Sequence, residues 1–183
     1  MKKPPHVVEI FLQPGEFYFG DSNTRIRTLL GSCVAITIWH PVRLIGGMCH
    51  FMLPERMSRP AEILDGRYAN EAMQMFNREI HMTGTTVGEY QAKLFGGGNM
   101  FGVPAKCGNR AGCNNVACRN VMTARLLLDR QRFKVVAEHV GRYGHRNVMF
   151  DIWSGDVWMR HAEREILRDR IEDVESSQCI HHR

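Results

Sequence analysis

Two extended segments joined by a short turn constrain the fold of this chain more than any other feature. Residues 33–39 are mostly β-branched or apolar, and residues 44–53 are predominantly apolar. The four residues between them, 40–43, carry proline at the second position, which is typical of a turn. The pattern predicts a β-hairpin. With the turn centred on these four residues, Cys33 lies directly opposite His50.

Directly opposite residues of an antiparallel pair point to the same face, with Cβ atoms roughly 4.5–5.5 Å apart. A thiolate is the nucleophilic form of cysteine, and a neighbouring imidazole can accept its proton. Gly31 and Ser32 leave the backbone before Cys33 open to a substrate, and the Cys33 N–H is a candidate oxyanion donor. The alternative is a small buried cysteine beside a hydrogen-bonded strand histidine. The residues alone leave both interpretations open.

Several motifs resemble the CheD family of chemoreceptor glutamine deamidases. They extend over residues 14–160 and comprise Thr28-Leu-Leu-Gly-Ser-Cys-Val-Ala, Gly47-Met-Cys-His-Phe-Met-Leu-Pro54, Phe95-Gly-Gly-Gly-Asn-Met-Phe101, Arg119-Asn120, Gly141-Arg-Tyr-Gly-His-Arg146 and Trp153-Ser-Gly-Asp-Val-Trp-Met-Arg160. The resemblance implies a cysteine nucleophile at Cys33, a histidine acid–base group at His50 and hydrolysis of glutamine side-chain amides through a thioester. It also implies a cleft lined by Gly31, Ser32, Gly96, Gly97 and Asn99.

The family uses a threonine upstream of the cysteine to orient the histidine, which implies that role for Thr28. In some members this threonine stands one residue earlier, where this chain has Arg27. Because strand side chains alternate between faces, a shift of one residue reverses the face unless a bulge corrects it. Ala117 and Arg142 also stand where many members have glycine.

The implied substrates are methyl-accepting chemoreceptors, and the implied partner is the phosphatase CheC. A non-catalytic adaptor that binds receptors or CheC, a cysteine-dependent receptor methylesterase or a peptidase would be compatible with the same residues. No cofactor is expected. Cys107, Cys113 and Cys118 lack a C-x-x-C pair, so a zinc-bound module is disfavoured and we expect no metal.

Composition agrees with one folded cytoplasmic domain over residues 1–183. The chain is 44% hydrophobic and 23% charged, and it has no apolar run long enough for a membrane span. Its N-terminus lacks the apolar core of a signal peptide. The net charge of +5 is dispersed without a nucleic-acid motif, so we expect neither nucleic-acid binding nor membrane insertion.

Alternation and helical spacing predict an α+β fold: mostly antiparallel, sandwich-like sheets flanked by two main helices. The helices are expected at residues 68–82, with Glu71 facing outward, and at 115–132, with Asn120 on the inward face among apolar residues. Both belong to a core at about 6–160. Residues 102–114 are expected to form a loop, and residues 161–175 a charged amphipathic helix before a tail that ends at 183. Arg142, His145 and Arg146 are expected in a loop that either contacts an acidic partner or is simply solvated.

Overall fold

The computed structural model describes residues 3–56, 63–100 and 115–162. Within these ranges the predicted hairpin and both predicted helices are present. The strands are β1 (Val8–Leu12), β2 (Phe17–Gly20), β3 (Thr24–Leu30), β4 (Val34–His40), β5 (Ile45–Phe51), β6 (Gln91–Gly96), β7 (Lys134–Val140), β8 (His145–Asp151) and β9 (Asp156–Ala162). The α-helices are α1 (Ala69–Met82) and α2 (Val116–Arg130), and a short 3₁₀ turn covers Val87–Glu89.

The strands form two sheets. Sheet A has the order β1-β3-β8-β9, and sheet B has the order β2-β5-β4-β6-β7. The β1–β3 and β6–β7 pairs are parallel, and the other neighbours are antiparallel. The predicted α+β class with mostly antiparallel sheets and two helices is confirmed.

The two sheets and the helices make three layers with two apolar interfaces. Between the sheets lie Ile26, Leu30, Met48 and Phe150, all fully buried. The other face of sheet B packs against α1 and α2 through a larger cluster that includes Phe76. Strands of sheet B are therefore covered on both faces, which explains the long apolar runs that the sequence shows there. Neither α-helix in the described ranges is long and apolar enough to cross a membrane.

The predicted hairpin forms, but its predicted register is wrong by two residues. His50 pairs with Ala35, and Phe51 pairs with Val34. Strand β4 continues through His40, whose ring nitrogen accepts hydrogen bonds from the backbone N–H groups of Val42 and Arg43. The turn therefore occupies residues 41–44, so Cys33 is not directly opposite His50.

Two further predictions, one for α1 and one for the end of β9, are wrong. Glu71 was expected on the exposed face of α1, but it is 6% exposed because Arg56 forms a bidentate ion pair with it. His161 and Ala162 were expected to begin a helix, but they end strand β9. The rest of that predicted helix and the predicted loop at 102–114 lie outside the described residues, as do Cys107 and Cys113.

Candidate active site

The candidate site lies where the chain passes from one sheet to the other. Thr28 belongs to β3 of sheet A, and His50 belongs to β5 of sheet B. Their side chains meet between the sheets, with 2.7 Å from Thr28 Oγ1 to His50 Nδ1. Both residues are buried, at 0% and 1% exposure. Thr28 thus faces inward, and Arg27 is the residue that faces outward to pair with Glu9.

Hydrogen bonding fixes which nitrogen of His50 carries the proton. The Thr28 hydroxyl donates its only hydrogen to the Leu12 carbonyl at 2.9 Å. Its oxygen must therefore accept a hydrogen bond from Nδ1–H of His50. In the neutral ring this leaves Nε2 as the basic atom, and Nε2 is buried without a hydrogen-bond partner among the described residues.

Backbone contacts hold His50 from the edge of sheet B. The His50 N–H donates to the Glu16 carbonyl at 3.0 Å, and the His50 carbonyl accepts from the Gly15 N–H at 2.7 Å. These bonds extend the β2–β5 pairing past Phe17 and Cys49. The ring is therefore oriented both by its backbone and by Thr28.

Cys33 lies one residue before β4, on the same face as His50. Cys33 stands two residues before Ala35, which is the pairing partner of His50. It packs against the apolar cluster between the sheets. Such diagonal neighbours have backbone positions about 7–8 Å apart, within reach of a long or aromatic side chain. The Cys33 sulfur and His50 Nε2 are not hydrogen bonded to each other in this structure.

Burial keeps both groups neutral at pH 7. It raises the pKa of the Cys33 thiol, against a smaller lowering effect of the hydrogen bond from the Ser32 hydroxyl. Burial also lowers the pKa of His50 to about 4. The resting site therefore holds a thiol and a neutral imidazole rather than an ion pair. Cys49, on the opposite face of β5, is fully buried with a pKa raised to about 12.

Three consecutive carbonyl groups, those of residues 31–33, are each held by a donor. The Gly31 carbonyl accepts from the Gly98 N–H at 2.8 Å, and the Cys33 carbonyl accepts from the Gly97 N–H at 2.7 Å. Between them, the Ser32 carbonyl lies 3.4 Å from Nδ2 of Asn120. The segment that presents the sulfur is therefore fixed by β6, its glycine run and helix α2.

The glycine run approaches this chain's own backbone. Gly97 has φ of +63°, and a Cβ there would lie 2.3 Å from Cγ2 of Val121. A Cβ on Gly98 would lie 2.3 Å from the Gly144 carbonyl oxygen. Only glycine fits at these two positions, because a side chain would force the segment at residues 31–33 and its neighbours apart. Gly96, which ends β6, pairs with Val34, the residue after Cys33.

The remaining cleft residue of the prediction, Asn99, lies beyond the glycine run. Its backbone bonds to residues 142 and 144, and with Gly97 it lines a cavity of about 520 Å³ between α2 and the loop after β7. Neither Cys33 nor His50 is among the described residues that line this cavity. Four of the five predicted cleft residues are thus next to Cys33 or bonded to its segment, and Asn99 directly follows Gly98, which donates to the Gly31 carbonyl.

Arg146 was expected to contact a partner or to be solvated, but it lies near the start of β8 and is fully buried. Its guanidinium donates to Nδ1 of His139 and to the Gly141 carbonyl. Burial lowers its pKa, and the nearby charge of Arg142 acts in the same direction. Arg142 itself adopts the left-handed conformation, with φ of +59°, at the position where many family members have glycine.

Two residues that hold the site could not be assigned from sequence. Leu12 contributes only its carbonyl, for which no sequence signal exists. Asn120 was predicted as one of the inward residues of α2, and it is fully buried there. Two signals were available for it: its place in the Arg119-Asn120 motif, and a carboxamide on an otherwise apolar helix face, because a buried amide needs polar partners.

Fold and site together define a two-sheet α+β domain in which a cysteine lies on the same sheet face as a histidine that is hydrogen bonded to a threonine, residue types suited to nucleophilic hydrolysis of acyl groups. A family model described as CheD chemotactic sensory transduction matches residues 52–161. The chain belongs to the CheD family.

Curated relatives named probable chemoreceptor glutamine deamidase CheD extend this match to most of the chain. The protein of Pseudomonas savastanoi pv. phaseolicola is 53% identical over 91% of this chain and 92% of its own. The Dechloromonas aromatica CheD 3 protein is 52% identical over 85% of this chain and 89% of its own length. The Pseudomonas fluorescens protein is 46% identical over 98% of both chains, so its match includes the segments of Cys33 and His50.

Proposed function

We propose that this chain hydrolyses the side-chain amide of specific glutamine residues in methyl-accepting chemoreceptors, which produces glutamate and ammonia. The names of its relatives support this activity and this substrate class. The observation that carries the chemistry is the Thr28–His50 hydrogen bond, because it leaves the basic Nε2 unpaired on the face that also bears Cys33.

In the first half-reaction, Cys33 is the nucleophile and His50 is the proton carrier. As the sulfur attacks the carboxamide carbon, its proton passes to Nε2 and the amide oxygen becomes an oxyanion. The Cys33 N–H is a candidate donor to this oxyanion. The imidazolium then protonates the amide nitrogen, the C–N bond breaks, and ammonia leaves a thioester on Cys33.

The second half-reaction restores the enzyme. Nε2 takes a proton from water as the water oxygen attacks the thioester carbon. The C–S bond breaks, the imidazolium returns its proton to the sulfur, and glutamate is released. Thr28 stabilises the imidazolium by accepting Nδ1–H throughout both steps.

The neutral resting state has a consequence for this mechanism. With the pKa of Cys33 raised and that of His50 lowered, little thiolate forms before substrate arrives. Proton transfer must therefore accompany attack on the bound amide. This arrangement protects the thiol from unproductive reactions, because the thiolate is the reactive form.

The resemblance to CheD also carries two finer expectations, which we extend to this chain. CheC is a candidate protein partner, and the cytoplasm, where receptor signalling domains lie, is the expected compartment. Co-purification of tagged protein with CheC, where the same cell encodes it, tests the first. Fractionation of cells that produce the native protein tests the second.

The activity is tested by intact mass analysis of a purified receptor signalling fragment after incubation with the protein. Deamidation adds about one mass unit for each glutamine without cutting the chain. We expect Cys33→Ala and His50→Ala to abolish the shift, and Cys49→Ala, on the opposite face, to retain it. Loss of a methyl ester group, cleavage, or no reaction with the wild-type protein would contradict the proposal. A shift retained by Cys33→Ala would contradict the assigned nucleophile.

A further inference from the structure

Asn120 joins the two chain segments, at the start of β4 and the end of β5, that carry the candidate nucleophile and base. Its Nδ2 donates to the Met52 carbonyl at 2.8 Å and lies 3.4 Å from the Ser32 carbonyl. Met52 follows His50 by two residues, and Ser32 directly precedes Cys33. We propose that Asn120 is a positioning residue that sets the distance between sulfur and imidazole, an inference that rests on the proposed function.

The need for such a residue follows from where the β4–β5 ladder ends. The last backbone pair is Val34 with Phe51. In the same register the next pair would be Cys33 with Met52, but Cys33 is already outside the strand. Beyond Phe51 nothing in the backbone ladder keeps the strand ends together. The carboxamide of Asn120 takes over this task with one NH₂ group between two carbonyls.

The burial of Asn120 indicates a specific geometric role. The side chain is fully buried, and its Oδ1 has no hydrogen-bond partner among the described residues. An unpaired buried acceptor is unfavourable, and an apolar side chain of similar size would fill the same space without it. The carboxamide therefore does not serve packing alone. Its evident function is to bridge the Ser32 and Met52 carbonyls.

The expected consequence concerns reactivity rather than substrate affinity. Without the bridge, residues 31–33 lose the donor that Asn120 supplies from α2, and the N–H groups of Gly97 and Gly98 still bond to Cys33 and Gly31. We expect the Cys33 thiol to become more exposed. Because burial raises the pKa of this thiol, greater exposure should lower that pKa. The distance to Nε2 is also no longer fixed. We expect a more reactive thiol that is a poorer catalyst.

Three variants test this inference. Asn120→Ala removes the bridge, and Asn120→Asp keeps the shape but loses both donors when ionised. Asn77→Ala is the control, because Asn77 is a half-buried helix asparagine that donates to Gln131 Oε1 at 3.2 Å. We would measure kcat and KM for receptor deamidation, the rate of Cys33 alkylation by iodoacetamide with peptide-level mass readout, and urea unfolding.

For Asn120→Ala we expect kcat to fall at least tenfold, KM to change less than threefold and Cys33 alkylation to accelerate at least threefold. Asn77→Ala should change none of these beyond twofold. Asn120→Asp should recover activity relative to wild type as pH falls, because the protonated acid regains one donor. This pH response also provides the test if Asn120→Ala does not fold.

Folded Asn120→Ala with both kcat and alkylation within twofold of wild type would overturn the inference. A lowered kcat with unchanged alkylation would also overturn it, because the effect would then not act through the nucleophile. Faster alkylation in the variant, together with a wild-type protein that does not deamidate receptors, would support the positioning role and refute the proposed function. The two proposals can therefore fail separately.

Discussion

Replacing Thr28 with valine tests the oriented imidazole most directly, because valine keeps the shape and removes only the hydroxyl. Two buried groups then lose their partner: Nδ1–H of His50 and the Leu12 carbonyl. Each unsatisfied buried group costs about 1–3 kcal/mol. Since the imidazole ring can turn to relieve part of this, we expect the free energy of unfolding to fall by about 2–4 kcal/mol.

The effect on activity follows from the same bond. Without the Thr28 acceptor, the tautomer with a basic Nε2 and the productive ring orientation are no longer favoured. A loss of about 1–3 kcal/mol in that preference lowers kcat by about 5- to 150-fold. KM should change little, because Thr28 is fully buried and does not face substrate. Initial rates of receptor deamidation, followed by mass analysis over a range of substrate concentrations, give both constants.

Two further variants complete this test. Thr28→Ser keeps the hydroxyl, so it should retain most of kcat and lose only the packing of one methyl group. Thr24→Val makes the same substitution at a buried threonine four residues earlier in β3, and we expect normal kcat. A Thr28→Val protein that folds and keeps wild-type kcat would refute the orienting role of the hydroxyl.

Three other outcomes are expected. Because burial lowers the pKa of His50 to about 4, Nε2 stays unprotonated to near that pH, so the acid limb of kcat/KM should lie near pH 4; a limb at the ordinary imidazole value of 6.5 would contradict this. Arg142→Gly should raise the free energy of unfolding, measured by urea titration, by about 1 kcal/mol, since a φ of +59° is strained for arginine. An Arg142→Ala control keeps this strain and should give no such gain. Gly97→Ala should lose about 1–3 kcal/mol more than Gly84→Ala, because both have positive φ but only Gly97 has a neighbour, Val121, within contact. Equal losses in the two glycine variants would argue against close packing at the glycine run.

Local pattern was sufficient for the hairpin and for both helices. Apolar runs predicted strands β4 and β5, and helical spacing predicted α1 and α2 to within a few residues. These signals are readable because the period of each element follows from backbone geometry. They do not determine the hairpin register, because the pattern does not show that the turn occupies residues 41–44, where Val42 and Arg43 donate to the ring of His40.

The residues of the candidate site were likewise predictable only in part. Motifs in the sequence singled out Cys33, His50 and Thr28, and the face of Thr28 stayed open until its distance to the imidazole was known. Asn120 joins partners 88 and 68 residues away along the chain. No local pattern reports such a contact, since it depends on how helix α2 packs against sheet B.

The sequence by itself therefore determined the family, the fold class, the hairpin, both helices and the candidate reactive side chains, because these depend on residue type and short-range spacing. Only the tertiary structure decided which nitrogen of His50 is basic, how far burial shifts the pKa values of His50 and Cys33, and what holds the nucleophile segment in place. These properties arise where the two sheets and helix α2 meet, and desolvation and long-range hydrogen bonds exist only once those layers have packed.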